Sequence, residues 1–456
     1  MNFVNQLLNF IVTPLGFILL GGGLFFALQA NQSSPRLGWF LVAIFGFAAS
    51  LNKFGNEFIK EPPPLVFPLQ QIREVGRPLT IVLLVLLIFI ALKAKNIWRK
   101  KIMPQPLTYL ILVQSVIFFK ILVYGNLGFA FLSAATFGGL VLMVILGPSR
   151  WLQNEENFQL GVWSMAMVGV IFGIANGYQA LIDKYAITFV HGWFLGTTGN
   201  PHHAAILITA TIPAFLFLFF HNEKHSWIKW IWVGFLALAI FGLLMTASRT
   251  GTIVAVVSVL IFFRRQGGKL LQIVLIFAVI AAFVLPSLSP TDLDTPGLLS
   301  ATSSKWSNLD TSTRDGVWSG YWRIFLEYPL FGAPFVGDRL RFGESSWLGV
   351  LGSMGLVGAI PMFMFGWTSL QMIFKLDHLS KIRPDYYLKC SVVMAGLLSL
   401  LVGGISEAYL LGNLTFSLLA VFLYLVLGNY LIEFAQREYN SSISQYYHNH
   451  KLSFKS

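Results

Sequence analysis

Residues 242–257 read GLLMTASRTGTIVAVV and place a single arginine, Arg249, between two apolar runs. No acidic residue lies within ten positions on either side of Arg249, so no neighbour in the sequence can neutralise its charge. Apolar runs that flank a short polar turn are typical of two helices that cross a bilayer and reverse at its surface. The stretch therefore predicts a helical membrane protein with an arginine near one membrane surface.

Composition indicates the same class for the whole chain. Hydrophobic residues make up 56% and charged residues 11% of the 456 residues, whereas about a quarter of the residues in a soluble domain are charged. We therefore expect an all-α integral membrane protein with about 12 to 13 transmembrane helices. The predicted spans lie near residues 7–28, 37–52, 78–94, 105–124, 128–147, 158–180, 204–220, 228–247, 250–263, 270–287, 346–374, 389–411 and 413–434.

These spans form one polytopic membrane domain, residues 1–434, followed by a cytoplasmic tail, residues 435–456. Short loops rich in lysine and arginine stay in the cytoplasm, and alternating spans put those loops on one side. The longest loop, residues 288–345, and the TASRTG turn then face the outside. Most of the net charge of +12 lies in the cytoplasmic loops. Topology and anionic lipids explain it there, so we expect membrane lipids and no nucleic acid as partners.

Metal chemistry has little support in the sequence. The single cysteine, Cys390, excludes a disulfide framework and a cysteine metal site. His202 and His203 are adjacent and point to different faces of a helix, and no acidic residue or cysteine stands at ligand spacing. A helix start fits the stretch better, because Asn200 can cap it and Pro201 suits its first turn. We expect no metal ion and no cofactor.

The outer side carries a set of arginines together with a carboxylate. Guanidinium groups offer paired donors that match phosphate oxygens, and a helix start adds backbone N–H groups for the same anion. Such a set suits a lipid-linked diphosphate. Its members are Arg249, Arg314, Arg339, Arg341 and Glu344, which stands just before the apolar run that begins at Ser346.

Each charged residue on the outer side also has a simpler interpretation. Arg249 can be an anchor to lipid headgroups, and Glu344 can be a carboxylate that caps a helix N-terminus. Arg339 and Arg341 can be solvated loop charges. Glu407, at the outer end of the penultimate span, can face either an acceptor or water.

Four aromatic side chains of the long outer loop recur at helical spacing: Trp318, Tyr321, Trp322 and Phe325. The pattern favours an amphipathic helix on the outer membrane surface over a sugar-binding platform. Lys120, near the outer end of the fourth span, is predicted to be a snorkelling anchor.

Four motifs follow one another in the second half of the chain: TTGNPHHAA at 197–205, TASRTG at 246–251, STRDGVWSGYWRIFLEYPLFG at 312–332 and ESSWLGVLGSMGLVGAI at 344–360. Their order resembles the O-antigen ligase and polymerase superfamily of membrane glycosyltransferases. The resemblance covers residues 195–430. The spans before residue 195 are consistent with it only in hydropathy.

The resemblance implies a fold similar to the C-type glycosyltransferases, with the site on the periplasmic face of the bacterial inner membrane. It also implies an undecaprenyl-diphosphate-linked oligosaccharide as donor, a glycan as acceptor and a chain-length regulator as a further partner. Family arginines that hold the diphosphate match Arg249 and Arg314. Where the ligases place a histidine as base, this chain has Glu344, which favours a repeat-unit polymerase. Further candidates for substrate binding are Arg339, Arg341, His203, Trp318 and Glu407.

We expect a metal-independent transfer that inverts the anomeric carbon. Arg249 and Arg314 would stabilise the leaving diphosphate, and Glu344 would accept the proton of the attacking sugar hydroxyl. A ligase that transfers the glycan to the lipid A core is an alternative, since a glutamate can replace histidine as base. A transporter or flippase for a lipid-linked glycan is another. Such a transporter would have broken helices or ionisable residues deep in its spans, and the sequence makes neither evident.

Overall fold

The structure is a computed structural model that describes residues 35–51, 63–92, 103–124, 127–188, 192–221, 226–268, 312–334, 344–411 and 414–453, together with Gly22 and Leu270. These residues are almost entirely helical, and none of them lies in a β-strand. The helices are α1 Pro35–Ser50, α2 Leu69–Glu74, α3 Gly76–Leu92, α4 Gln105–Tyr124, α5 Leu127–Leu146, α6 Pro148–Trp151, α7 Glu155–Ile182, α8 Pro201–His221, α9 Ser226–Met245, α10 Arg249–Phe262, α11 Ser312–Glu327, α12 Ser346–Ile382, α13 Tyr387–Gly403 and α14 Phe416–Ser453.

Eight of the described helices are long and apolar enough to cross a membrane, and three shorter helices are also apolar. The chain is therefore an all-α, multi-pass membrane protein. Eleven of the predicted spans coincide with α1, α3 to α5, α7 to α10 and α12 to α14. The predicted spans near 7–28 and 270–287 lie outside the described residues.

Three predicted boundaries are wrong. Helix α14 does not end at the predicted 434 but continues through the predicted tail to Ser453. Helix α12 continues eight residues beyond the predicted end at 374, to Ile382, because ion pairs of Asp377 and Lys381 accommodate the polar residues of its last turns. Helix α13 ends at Gly403 rather than at 411. The chain turns there, and the carbonyls of Gly404 and Glu407 accept the backbone N–H of Ser346 at the start of α12.

Helix α8 is the central element of the bundle. Of the residues in its membrane-spanning stretch, 94% are buried. Helix α8 packs against α7, α9, α10, α13 and α14. Pro213 removes one backbone donor inside α8, and nearby the Tyr424 hydroxyl of α14 donates to the Ala210 carbonyl at 2.7 Å. Gly396 of α13 makes room for Tyr424, since a Cβ there would lie 2.1 Å from its ring. The site described below lies at the first turn of this central helix.

The two ends of the bundle differ in their charged groups. We call one the basic end and define it by Arg264, Arg265, Asp377 and Lys389. Asp377 contacts Arg264, Arg265 and Lys381, each at 2.9 Å. Because successive helices run in opposite directions, the described lysines and arginines of the predicted cytoplasmic loops lie at this end. The opposite end holds the starts of α8, α10 and α12.

Helix α12 is interrupted near the opposite end. Gly355 has a φ of 57° and a ψ of −153°, which are not helical. The prediction that Lys120 is a snorkelling anchor is wrong, because its side chain turns into the protein. Lys120 is only 7% exposed, and its ammonium donates to the backbone carbonyls of Phe331, Ala333 and Ser353. A broken helix and a buried lysine in a span, neither evident from the sequence, are thus both present.

Candidate functional site

The first turn of α8 has the predicted cap. The side-chain oxygen of Asn200 accepts the backbone N–H groups of His202 at 2.8 Å and His203 at 3.4 Å, and Pro201 is the first helical residue. The prediction that this stretch is a helix start is therefore confirmed. Among the described residues, no group of three or more His, Cys, Asp or Glu side chains is placed to hold a metal ion.

Arg249 is the first residue of α10 and is half-buried. The preceding Ser248 accepts the backbone N–H of Gly251 at 3.2 Å and so caps the helix. The chain reverses between α9 and α10 through Ala247, which adopts a φ of 49°, and the Thr246 hydroxyl donates to the Leu243 carbonyl at 2.6 Å. This compact turn lets α10 begin at Arg249 itself, at the surface of the bundle.

The starts of α8 and α10 lie against each other. A Cβ on Gly251 would come within 2.6 Å of Cβ of Ala205, one turn into α8. The segment before α8 also joins the end of α9, because the N–H of Phe194 donates to the Met245 carbonyl at 2.9 Å. The motifs TTGNPHHAA and TASRTG, which are distant in sequence, therefore share one end of the fold.

Helix α12 begins at the same end. Ser345 caps it by accepting the N–H of Leu348 at 3.1 Å. Ser346 donates its N–H to the carbonyls of Gly404, at 2.9 Å, and Glu407, at 3.2 Å. The alternative in which Glu344 caps this helix is wrong, since the shorter serine side chain is the one that reaches the backbone N–H. Glu344 itself is exposed.

The turn after α13 connects the three helix starts. A Cβ on Gly403 would lie 3.0 Å from Val254 of α10 and 3.6 Å from Ile206 of α8. The Ser346 hydroxyl donates to the Glu407 carbonyl at 2.6 Å and accepts the N–H of Leu410 at 3.2 Å. The end of α13 and the 404–411 turn therefore hold the first turns of α8, α10 and α12 as one group.

The side chains of Glu407 and His202 are in close contact in this group. Oε1 of Glu407 lies 2.9 Å from Nδ1 of His202, and the two side chains are 17% and 37% exposed. The alternative in which Glu407 simply faces water is wrong, because its carboxylate has a partner and is largely covered. His203 is exposed and interacts electrostatically with Glu407. A carboxylate and two imidazoles thus stand at the start of the central helix.

The four aromatic residues at helical spacing lie on one helix, α11, which spans Ser312–Glu327. It packs on α12, where Tyr321 contacts Gly352, since a Cβ there would lie 2.9 Å from the ring. The other face carries Trp322, which is 53% exposed. Trp318 is half-buried, with its indole nitrogen covered and no partner for it among the described residues.

Tyr321 also connects α11 to Glu344. Its hydroxyl interacts by a hydrogen bond with the Glu344 backbone. Burial raises the pKa of this hydroxyl, the Glu344 carboxylate raises it further, and the backbone hydrogen bond opposes both. Glu344 therefore lies between α11 and the start of α12.

The side chains of three arginines predicted to belong to the site lie outside the described part of the structure. Arg314 lies in the first turn of α11, and the structure describes only its backbone. Arg339 and Arg341 lie outside the described residues. The role of His202 beyond a helix start is not evident from the sequence, because its partner Glu407 is far along the chain. The one available signal was that both residues fall at the same ends of alternating spans.

This arrangement favours anion binding. Each helix N-terminus carries about half a positive charge, and three of them lie at the same end of the fold as the permanently charged Arg249. Glu407 and Glu344 supply carboxylates to the same end, where they can accept hydrogen bonds from hydroxyl groups.

Comparison with protein-family models gives no match, and comparison with curated proteins finds none that is similar.

Proposed function

We propose that the chain is a membrane glycosyltransferase that polymerises polysaccharide repeat units at the periplasmic face of the inner membrane. Its donor is an undecaprenyl-diphosphate-linked glycan, and its acceptor is a hydroxyl group of another repeat unit. The observation that carries this proposal is that three helix N-termini lie at the same end of the fold as Arg249 and the Glu407–His202 pair. A diphosphate needs positive charge, and a sugar acceptor needs carboxylates that accept hydrogen bonds.

The proposed reaction is a single displacement. A hydroxyl oxygen of the acceptor sugar attacks the anomeric carbon of the donor, and the bond from that carbon to the diphosphate oxygen breaks. The lipid diphosphate leaves with the bonding electrons, and its growing negative charge is stabilised by Arg249, by Arg314 and by the helix N-termini. Glu344 accepts the hydroxyl proton. The anomeric configuration is inverted.

Glu407 has a separate proposed role on the acceptor side. His202 holds its carboxylate in one position, so that it can accept hydrogen bonds from hydroxyl groups of the acceptor sugar. His203, exposed in the same turn, contacts the same sugar. Fixing the acceptor in this way raises the rate because the attacking oxygen is held in line with the anomeric carbon.

A reconstituted assay tests the proposal. The full chain is purified, placed in vesicles and given undecaprenyl-diphosphate-linked repeat units without added divalent metal. We expect a ladder of longer lipid-linked glycans, together with release of free undecaprenyl diphosphate. Glu344→Gln should stop the ladder. Arg36→Ala, which removes the exposed Arg36–Glu156 pair at the basic end, is the control and should leave the ladder intact. Absence of a ladder from wild-type protein given several repeat-unit chemistries contradicts the proposal.

A ligase is the nearest alternative within the enzyme class. It would move the finished glycan from the same donor to a lipid A core acceptor. The same vesicles, given lipid A core, distinguish the two: a product with a single glycan joined to the core indicates a ligase, and longer chains on the lipid carrier indicate a polymerase.

A transporter for a lipid-linked glycan is a second candidate, and two observations favour it. Helix α12 is broken at Gly355, and Lys120 lies within a span; transporters use both features around a central site. The test is a vesicle that carries a fluorescent lipid-linked oligosaccharide and an external quencher. Rapid loss of the inner-leaflet signal without elongation supports transport, whereas elongation without that loss supports the transferase.

A further inference from the structure

Lys120 is a buried cation that the proposed mechanism does not use. It lies four residues before the end of α4 at Tyr124. A charged lysine inside a membrane span is unfavourable unless polar groups of the protein accept its hydrogen bonds. Here its ammonium donates to the carbonyls of Phe331 and Ala333, both at 2.7 Å, and to that of Ser353. An ammonium has three protons to donate, and these carbonyls can accept one each.

The carbonyls belong to two parts of the chain. Ser353 lies just before the break in α12, and Phe331 and Ala333 lie in residues 328–334, which we call the docking segment. A break in a helix exposes backbone groups that need partners. The docking segment supplies them: Pro329 and Leu330 accept the N–H groups of Leu356 at 2.8 Å and Val357 at 3.1 Å. The N–H of Ala333 donates to the Gly352 carbonyl at 3.0 Å.

Two glycines make this close approach feasible. Gly332 has a φ of 70°, and a Cβ on it would lie 2.3 Å from the backbone nitrogen of Met354. Gly355 has a φ of 57°, and a Cβ on it would lie 2.5 Å from the backbone carbon of Leu330. Both positions therefore disfavour any residue with a side chain, for steric and conformational reasons. The docking segment and the break fit each other backbone to backbone.

The docking segment continues directly from α11. Helix α11 ends at Glu327 and the segment begins at Tyr328. Within α11, the Tyr321 hydroxyl forms a hydrogen bond with the Glu344 backbone. Ser345 and Ser346 follow Glu344 at the start of α12. A displacement of the docking segment would therefore move α11, and with it Tyr321 and the backbone that carries Arg314.

We propose that Lys120 is a positioning residue that fixes α11 beside Glu344 by binding the docking segment to the broken helix. This inference rests on the proposed function for its effect on rate, but the contact that it assigns can be tested without any substrate. Lys120 touches neither donor nor acceptor in this account, and it acts only through α11 and Glu344.

The first test is hydrogen exchange on the full-length protein in detergent. Lys120→Met keeps the length of the side chain and removes its donors. We expect the backbone N–H groups of Leu356, Val357 and Ala333 to exchange faster than in the wild type, while those of α8 do not change. Lys229→Met is the matched control, because Lys229 is a half-buried lysine in a span whose ammonium lies over the Phe219 ring, away from the docking segment. Unchanged exchange at all three amides in Lys120→Met overturns the proposal.

The second test is the elongation assay with the same variants. We expect the turnover of Lys120→Met to fall by roughly tenfold to a hundredfold, with little change in donor KM, since misplacement of a catalytic group by about 1 Å has effects of that size. Lys120→Arg should recover part of the rate because it keeps charged donors. Should Lys120→Met purify poorly, Gly332→Ala disturbs the same contact from the loop side and carries the same expectation.

The outcomes separate this inference from the proposed function. If wild-type protein elongates glycans and Lys120→Met does so at the same rate, the positioning role is wrong and the transferase stands. If wild-type protein does not elongate any lipid-linked glycan, the proposed function fails, and the exchange measurement still decides whether Lys120 holds the loop.

Discussion

The two ends of the bundle use charge in different ways. At the basic end, side chains neutralise one another: Asp377 contacts three cations, and Lys389 pairs with Glu155. At the opposite end, most polar contacts join a side chain to the backbone. Side chains of Asn200, Ser248 and Ser345 cap helix starts, and carbonyl groups bind Lys120. We infer that the basic end serves topology and stability, whereas the opposite end holds charged groups in fixed places.

Substitution of Arg249 should have the largest effect. In Arg249→Ala we expect elongation to fall by about 10² to 10³, as when one donor to a developing anion is removed, with the same amount of protein in the membrane. Arg249→Lys should retain part of the rate. The measurement is the initial rate of chain growth in vesicles, with Arg437→Ala as a control at the basic end, where Arg437 contacts Glu433 at 3.4 Å. A normal rate in Arg249→Ala would remove this residue from the mechanism.

The contact between His202 and Glu407 should have the next largest effect. Glu407→Gln and His202→Asn should each lower the rate by roughly tenfold to a hundredfold, because the acceptor is held less well. The double variant should be little worse than either single variant, since both remove the same contact. The rate is measured against acceptor concentration. Glu433→Gln is the acidic control, and fully additive losses would show that the pair does not act as a unit.

At the basic end we expect a loss of stability without a loss of activity. Asp377→Asn removes the charge that three cations share, and ion pairs that water still reaches contribute up to about 1 kcal/mol each. Unfolding in detergent should therefore be easier by about 1 to 2 kcal/mol, while elongation per folded molecule stays unchanged. A loss of elongation at full stability would mean that the two ends are coupled, which contradicts the division of roles described above.

The smallest effect concerns alkaline pH. Burial raises the pKa of the Tyr409 hydroxyl well above its ordinary value, and the nearby Glu407 raises it further. A pKa raised on folding stabilises the protein below the ordinary value of about 10, and this contribution is lost as pH rises through the folded value. Tyr409→Phe loses one hydrogen bond, worth about 1 kcal/mol. Its melting temperature should also fall less steeply above pH 10 than that of the wild type. An identical alkaline fall in both proteins would contradict this assignment.

Much of the helical architecture is predictable from the sequence because each span is a continuous apolar run. The cap at Asn200 is predictable because asparagine followed by proline is a local signal. Helix α11 is predictable because Trp318, Tyr321 and Trp322 recur at helical spacing. In each case the partners lie within a few residues of one another, so the pattern is visible along the chain.

The remainder depends on partners that are distant in sequence. The ligands of Lys120 are backbone carbonyls more than 200 residues away, and a carbonyl leaves no trace in residue identity. The break at Gly355 is not distinguishable from its neighbours by sequence, because α12 also contains Gly349, Gly352 and Gly358. Only the approach of the docking segment selects Gly355. The pairing of Glu407 with His202 likewise needs the packing of α8, α12 and α13.

The most direct test of the central claim is the glycan profile of the host strain after deletion of this gene. Surface polysaccharide and undecaprenyl-diphosphate-linked intermediates would be compared on gels and by mass spectrometry, with wild-type and Arg249→Ala copies restored. We predict single repeat units in place of a long ladder in the deletion and in Arg249→Ala, and a full ladder with the wild-type copy. An unchanged profile outside the cytoplasm, or repeat units trapped on the cytoplasmic face, would contradict a periplasmic polymerase.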